Sequence, residues 1–160
     1  MSDSSIKSGI QLESYKLDKV SLNVVQEVGI LSKKNHSNCE IKYQFSFRDA
    51  LRLKNQNDTS YVTGLRLTLT IFDKDLKREI ADGEFVITGL FSATGEFDSK
   101  TEENLIKIQA PAILFPYMRA AITLILNTAG FTTIILPLVN IAAIAKTVKL
   151  TIEDSKPDPE

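Results

Sequence analysis

The chain has 160 residues, 19 Lys and Arg against 20 Asp and Glu, one cysteine and one histidine. That length builds one core of real size and falls short of two comfortable ones, and a near-balanced charge with no basic block argues against a nucleic-acid footprint. Cys39 cannot form an internal disulfide, and with His36 as the sole histidine no Cys/His cluster can complete a zinc site, so a reducing compartment is expected.

The opening MSDSSIKSGIQLES lacks both the apolar stretch of a signal peptide and the Arg-rich, acid-poor character of a transit peptide, which makes the cytoplasm the expected location. Residues 1–9 read as a disordered segment, 10–150 as a single domain, and 151–160 as a polar, disordered tail. From Ile10 to Val24 the apolar residues fall at mostly even spacing, with Leu17 out of step, which predicts a long strand with an irregularity near Ser14 to Asp18. In IKYQFSF, Ile41, Tyr43, Phe45 and Phe47 alternate with Lys42, Gln44 and Ser46, and in LRLTLTI, Leu65, Leu67, Leu69 and Ile71 alternate with Arg66, Thr68 and Thr70; both patterns predict strands. FDKDLK supplies a turn before a fourth strand from about Arg78 to Ala93.

After the polar TGEFDSKTEEN, a helix is predicted from about Ala112 to Asn127, stopped by TAG with Gly130 or the residue before it at the C-terminal cap. Pro116 is cheap only in a first helical turn and pre-proline Phe115 is biased toward extended geometry, so regular helix is expected to begin between Ala112 and Pro116. A second apolar piece, Val139 to Leu150, is helical by its alanines and strand-like by its last residues, which leaves the end of the second helix open. Strands followed by helices predict an α+β fold: a four-stranded antiparallel sheet with two main helices packed on one face. The first helix is apolar all round, and such a helix is buried all round, which predicts a homo-oligomer with this helix in the interface. Arg119 is the only charge between Ile108 and Ala145, and if buried it needs a carboxylate or carbonyl partner. A membrane reading of the same stretch is disfavoured because Pro111, Pro116, Arg119, NTAG, Pro137 and Asn140 cut it into pieces shorter than the roughly 20 apolar residues a span needs.

No enzymatic constellation emerges. Asp73 to Glu84 places acids at three calcium-loop positions, but Lys77 and Arg78 occupy a ligand position and the obligatory glycine position, so a charged hairpin turn is the better reading. No nucleophile elbow, P-loop or dinucleotide fingerprint is present, and no cofactor or metal is expected. His36 lies in the polar SKKNHSN; Glu102 and Glu103 read as a solvated face; the sequons at Asn35 and Asn57 matter only in a secreted chain.

One run stands apart. APAILFPYMRAAITLIL, with Pro111, Ile113, Leu114, Phe115, Pro116, Tyr117 and Arg119, followed by GFTTIILPLVNI, with Phe131, Leu136, Val139 and Asn140, resembles the protein-export chaperone SecB family. VTGLRLTLT and GLFSATGEF are similar to the family's third and fourth strands, so the resemblance covers about residues 12 to 145. It implies a dimer of dimers built on the long helix, with Tyr117, Arg119, Ile122 and Leu126 at the interface. It also implies an ATP-independent holdase for unfolded polypeptides, held in a groove formed here by Tyr43, Phe45, Phe131, Ile134, Leu136, Leu138, Ile141 and Ile144. Typical members pass preproteins to the SecA motor through acidic sheet positions; Asp18 and Glu84 are the candidates here, while Lys19 and Asn23 stand where further acids are expected. Trp is absent and NIAAIAK carries small residues along the second helix, features that also suit a SecB-like branch guarding one partner, such as the antitoxin of a toxin–antitoxin pair.

Overall fold

Period-two alternation becomes four long strands in a computed structural model that describes residues 9–25, 38–55, 58–131 and 134–156. The strands are β1 (Gln11–Val24), β2 (Cys39–Lys54), β3 (Asp58–Asp73) and β4 (Arg78–Thr94), followed by a helical stretch, a second short helix and β5 (Ile152–Asp154). The sheet order is β1-β4-β3-β2-β5. Pairing among the four long strands is antiparallel, and β5 joins β2 in parallel. The expected α+β architecture holds, with a correction: the sheet has five strands, because residues 152–154 of the expected tail pair with Ala50, Leu51 and Arg52. Residues 1–8 and 157–160, together with His36, Asn35 and Asn57, lie outside the described residues.

Alternation also fixes the two faces. Leu65, Leu67, Leu69 and Ile71 of β3 and Phe85, Ile87 and Phe91 of β4 are buried on one face. Their neighbours Arg66 and Glu84 point to the other, where they pair at 2.8 Å. The irregularity in β1 resolves into two register shifts, at Leu12/Ser14 and Leu17/Lys19. At the β3–β4 turn the Asp73 carboxylate accepts the backbone N–H groups of Asp75 and Leu76 at 2.9 and 3.0 Å, so the acid caps a hairpin.

Helix α1 (Ser99–Asn104) starts at Asp98, whose side chain accepts the Thr101 N–H at 2.7 Å. A π-helical turn, Leu105–Gln109, links it to α2 (Ala110–Thr128). The expected helix start between Ala112 and Pro116 is therefore corrected: helix is continuous from Ser99, and Pro116 lies inside α2. The wide turn sits just before Pro111 and takes up a ring that would otherwise crowd the carbonyl four residues back. At the other end Gly130, at φ 98°, forms a Schellman cap: its N–H meets Asn127 O at 3.1 Å and the Phe131 N–H meets Leu126 O at 2.8 Å. The stretch 99–128 is long and apolar enough to cross a membrane by length and composition alone. Here Leu114, Phe115, Met118, Ile122 and Leu126 form a stripe buried on the sheet. The second helix, α3, is only Ile141–Ala145, capped by the Asn140 side chain at 3.1 Å from the Ala143 N–H.

Candidate functional site

Three apolar features lie on the helix side of the sheet. The first is an aromatic step. Tyr43 is 36% exposed and its ring stands 5.6 Å from Phe45, whose ring meets Phe115 of α2 edge-on at 5.4 Å. Such tilted contacts match the ring quadrupoles and hold the step rigid.

The second feature is the crossover between α2 and α3. Arg119 Nε donates to the Leu136 carbonyl at 2.7 Å, the carbonyl partner that its isolation in sequence demanded, and this bond fixes the strand-like segment against α2. Burial alternates from Ile134 to Pro137, with Ile134 and Leu136 inward at 8% and 0% exposure and Ile135 outward at 62%; after Pro137 the alternation breaks, and Leu138 is also outward at 80%. Together with Pro116, Ala120, Leu124 and Asn127 of α2 these outward residues line an open groove of about 520 Å³, with Phe115 reaching it from below.

The expected groove is therefore divided. Tyr43 and Leu138 are exposed and Phe45 and Ile144 half-buried, whereas Phe131, Ile134, Leu136 and Ile141 belong to the core. Reading IILPL as an extended, alternating segment singles out Ile135, which a list chosen for apolarity missed.

The interface residues divide likewise. Tyr117 is exposed, stacked on Tyr15 at 4.6 Å, and Arg119 is half-buried, but Ile122 and Leu126 are wholly covered by the chain's own sheet. A helix of 3.6-residue period that buries 118, 122 and 126 must turn 116, 117, 120, 124 and 127 outward, and those are the residues left open. The third feature continues from Tyr117: Tyr15, which its ring meets, and Leu17 and Val20 further along edge strand β1 are 36–49% exposed.

Asp18 and Glu84 lie on the opposite face, and neither carboxylate stands alone. Arg48 donates to Asp18 at 2.8 Å and to Thr88 at 2.7 Å, Thr88 donates to Asp18, and Lys16 stands 3.2 Å away. The Thr88 hydroxyl, aided by Lys16 and Arg48 against a smaller effect of burial, holds the Asp18 carboxyl below its usual range. Glu84 is held low by Lys19 at 2.8 Å and then by Arg66 at 2.8 Å.

Arg48 reaches across β3 because Gly64 has no side chain: a β-carbon there would lie 2.3 Å from the Ile87 carbonyl oxygen and 3.3 Å from Arg48 Cδ. Gly64→Ala is expected to destabilise the fold by about 1–3 kcal/mol through forced strand displacement, read as a lower urea midpoint at an unchanged m-value.

Glu102, expected on a solvated face, lies instead in a partly buried network. Its carboxylate takes a two-pronged contact from Arg52, with Nε at 2.8 Å, and accepts the Tyr61 hydroxyl at 2.6 Å; Arg52 also reaches Asp154 at 2.9 Å. Burial opposes the Glu102 charge, but the Arg52 fork and the Tyr61 hydroxyl outweigh it and keep the carboxyl below its ordinary value. Burial, reinforced by Glu102, pushes Tyr61 up to about 12. Glu103, by contrast, is exposed and pairs loosely with Lys107 at 3.8 Å. Among the described residues no group of three or more His, Cys, Asp or Glu converges as a metal site.

A largely antiparallel sheet, a long helix packed on one of its faces and apolar surface left open beside that helix define an α+β domain of one sheet and one helical layer. Residues 4–149 match the family model described as preprotein translocase subunit SecB, and the chain belongs to the SecB family. The protein-export protein SecB of Cellvibrio japonicus (strain Ueda107) is 37% identical over 78 residues, 49% of this chain and 46% of that protein, so the match spans about half the relative's length. A SecB-like chaperone of Mycobacterium tuberculosis, solved in complex with a ChAD peptide from the HigA1 antitoxin, superposes with a TM-score of 0.62 at 13% identity, covering 81% of this chain and 90% of that one. At that identity the likeness speaks for the fold.

Proposed function

We propose that the chain is an ATP-independent holdase that keeps non-native polypeptides soluble in the cytoplasm, with preproteins for Sec-dependent export as its clients. The observation that carries this reading is the aromatic step running from Tyr43 and Phe45 of β2 to Phe115 of α2. A client recognised by being unfolded has to be held by apolar surface tolerant of many sequences, helped by main-chain hydrogen bonds at a strand edge. Burying roughly 1,000 Å² of client apolar surface contributes on the order of 25 kcal/mol gross, and ordering a disordered chain offsets most of it, leaving a net affinity low enough for release. Tyr43 and Leu138 are the primary contacts, Tyr43 backed by Phe45 on β2 and Leu138 sharing its groove with Ile135, with Ile144 of α3 a further contact. The working form is a homotetramer, a dimer of dimers in which the outer face of α2 is covered.

Sub-stoichiometric to stoichiometric amounts of the protein are expected to suppress aggregation of a chemically unfolded, reduced client as read by light scattering. Tyr43→Glu combined with Leu138→Glu is expected to remove most of that protection, since each places a charge where client apolar surface must dock. Absence of suppression by the native protein at every ratio would overturn the reading.

A second reading, a dedicated chaperone for one partner such as an antitoxin, is favoured by the charge pattern of the outer sheet face. A basic motor segment needs unpaired acids, and Asp18 and Glu84 are both engaged by cations of their own sheet, so SecA docking at these two residues is weak in this reading. Protection restricted to a single partner, with unrelated unfolded clients left to aggregate, would select it over the general holdase.

A further inference from the structure

We infer that β5 is a built-in competitor for the client strand: the chain's own C-terminal segment occupies the edge of β2 and must come off for an extended polypeptide to use that edge along its full length. The inference rests on the holdase reading and assigns a regulation to the same site.

Strand β2 runs from Cys39 to Lys54, yet among the described residues β5 pairs with it only at Ala50, Leu51 and Arg52. The long remainder of that edge, beside Tyr43 and Phe45, carries no partner strand among the described residues. An extended segment adding there would run into β5 within a few residues, because both use the same row of backbone donors and acceptors.

The hold on β5 is local and shallow. A bulge between Arg48 and Leu51 frees Asp49, whose carboxylate accepts the Thr151 N–H at 2.9 Å. The Ala50 N–H meets Thr151 O at 2.9 Å, the Ser155 N–H meets Arg52 O at 2.8 Å, and Asp154 reaches Arg52 at 2.9 Å with its side chain 69% exposed. Three residues, of which only Ile152 packs in part against the core, and an ion pair whose Asp154 end is solvated make an element drawn from the low-stability end of the fold. Arg52 is independently anchored by Glu102, so β5 can leave without stripping the core of its charge partner. Competition of this kind lowers apparent client affinity by the fraction of time the edge is free, so an edge open about one-tenth of the time weakens binding about tenfold.

The test uses the full-length chain, a chain ending at Leu150, Asp154→Lys in the full chain, and the double variant Leu51→Cys with Glu153→Cys, whose positions are register partners and at neighbouring-strand spacing suit a disulfide. The probe is a fluorescent extended peptide of alternating aromatic and polar residues, titrated by anisotropy. Shortening and Asp154→Lys are expected to tighten binding about tenfold and severalfold respectively. The oxidised double variant is expected to weaken it, with recovery on adding reductant. Equal affinity in the native, shortened and oxidised forms overturns the competitor role and leaves the holdase reading standing. Absence of binding in all forms overturns both.

Discussion

Arg52→Ala is expected to lower folding stability by about 3 kcal/mol, the consequence of leaving a partly buried carboxylate without its charge partner. The Glu102 side chain is 17% exposed and keeps the Tyr61 hydroxyl and the weaker pull of the Lys54 charge once Arg52 is gone. Loss of the Arg52–Asp154 pair adds little, because Asp154 is solvated. The damage spreads because the network ties α1, through Glu102, to the hydrogen-bonded strand pair β2–β3 at Arg52 and Tyr61. For a domain of this size the change corresponds to a fall of roughly 6–12 °C in melting temperature.

The pH dependence separates this electrostatic cause from simple loss of packing. In the native chain the Glu102 carboxyl is depressed below its reference value of 4.5. Its stabilisation is therefore fully present above pH 4.5 and lost as pH falls through the folded value. In Arg52→Ala burial acts unopposed by the guanidinium, the carboxyl moves upward, and protonation relieves the variant. The gap between native and variant melting temperatures is expected to close below about pH 4.5. Tyr61 works in the opposite direction: its folded value is raised from 10.0 to about 12, so its contribution is complete below pH 10 and is lost as pH rises toward 12. A native-to-variant gap of constant size from pH 3 to pH 8 would show that the network acts through shape alone.

What sequence could and could not reveal follows the range of the interactions. The alternation in IKYQFSF and LRLTLTI is local, and the structure places both runs in strands with the expected faces. The Gly130 cap and the carbonyl partner of Arg119 follow from single-residue chemistry, φ > 0 and an isolated charge, and both are present. Glu102 lies 41 and 50 residues from its partners Tyr61 and Arg52, and nothing in TEEN distinguishes it from Glu103, one residue away and exposed. Strand β5 lies in residues expected to be tail, and beyond Ile152 its hold comes from Asp49 and Arg52, about a hundred residues earlier, which nothing local to it discloses. Phe131, Ile134, Leu136 and Leu138 of the crossover are alike in apolarity, yet the fold buries the first three and leaves Leu138, with Ile135, in solvent. Treating apolar as a property of a segment, and not of a face, put Ile122 and Leu126 in the interface when they belong to the core.

That division of faces leads to the second large effect. Leu124→Glu together with Ala120→Glu is expected to convert the proposed tetramer into smaller species, with an association constant reduced at least about 100-fold, or roughly 3 kcal/mol. Leu124 is 67% exposed in the single protomer, next to Ile135 at 62% and Leu138 at 80%, on a helix whose opposite stripe is fully buried. A large apolar side chain left in water on the outer face of α2 is the anchor pattern of an interface core, and a desolvated carboxylate at 120 or 124 has no cation of α2 beside it except Arg119, whose Nε is already engaged by the Leu136 carbonyl. Both substitutions lie on the solvent side of a good helix-forming run, so each protomer is expected to keep its fold and its far-UV circular dichroism. Sedimentation velocity across a concentration series reads the result directly. A native chain that sediments as a monomer throughout, or a double variant that sediments like the native tetramer, removes the outer face of α2 from the assembly and leaves the unroofed Tyr15, Leu17 and Val20 of β1 as the surface to substitute next.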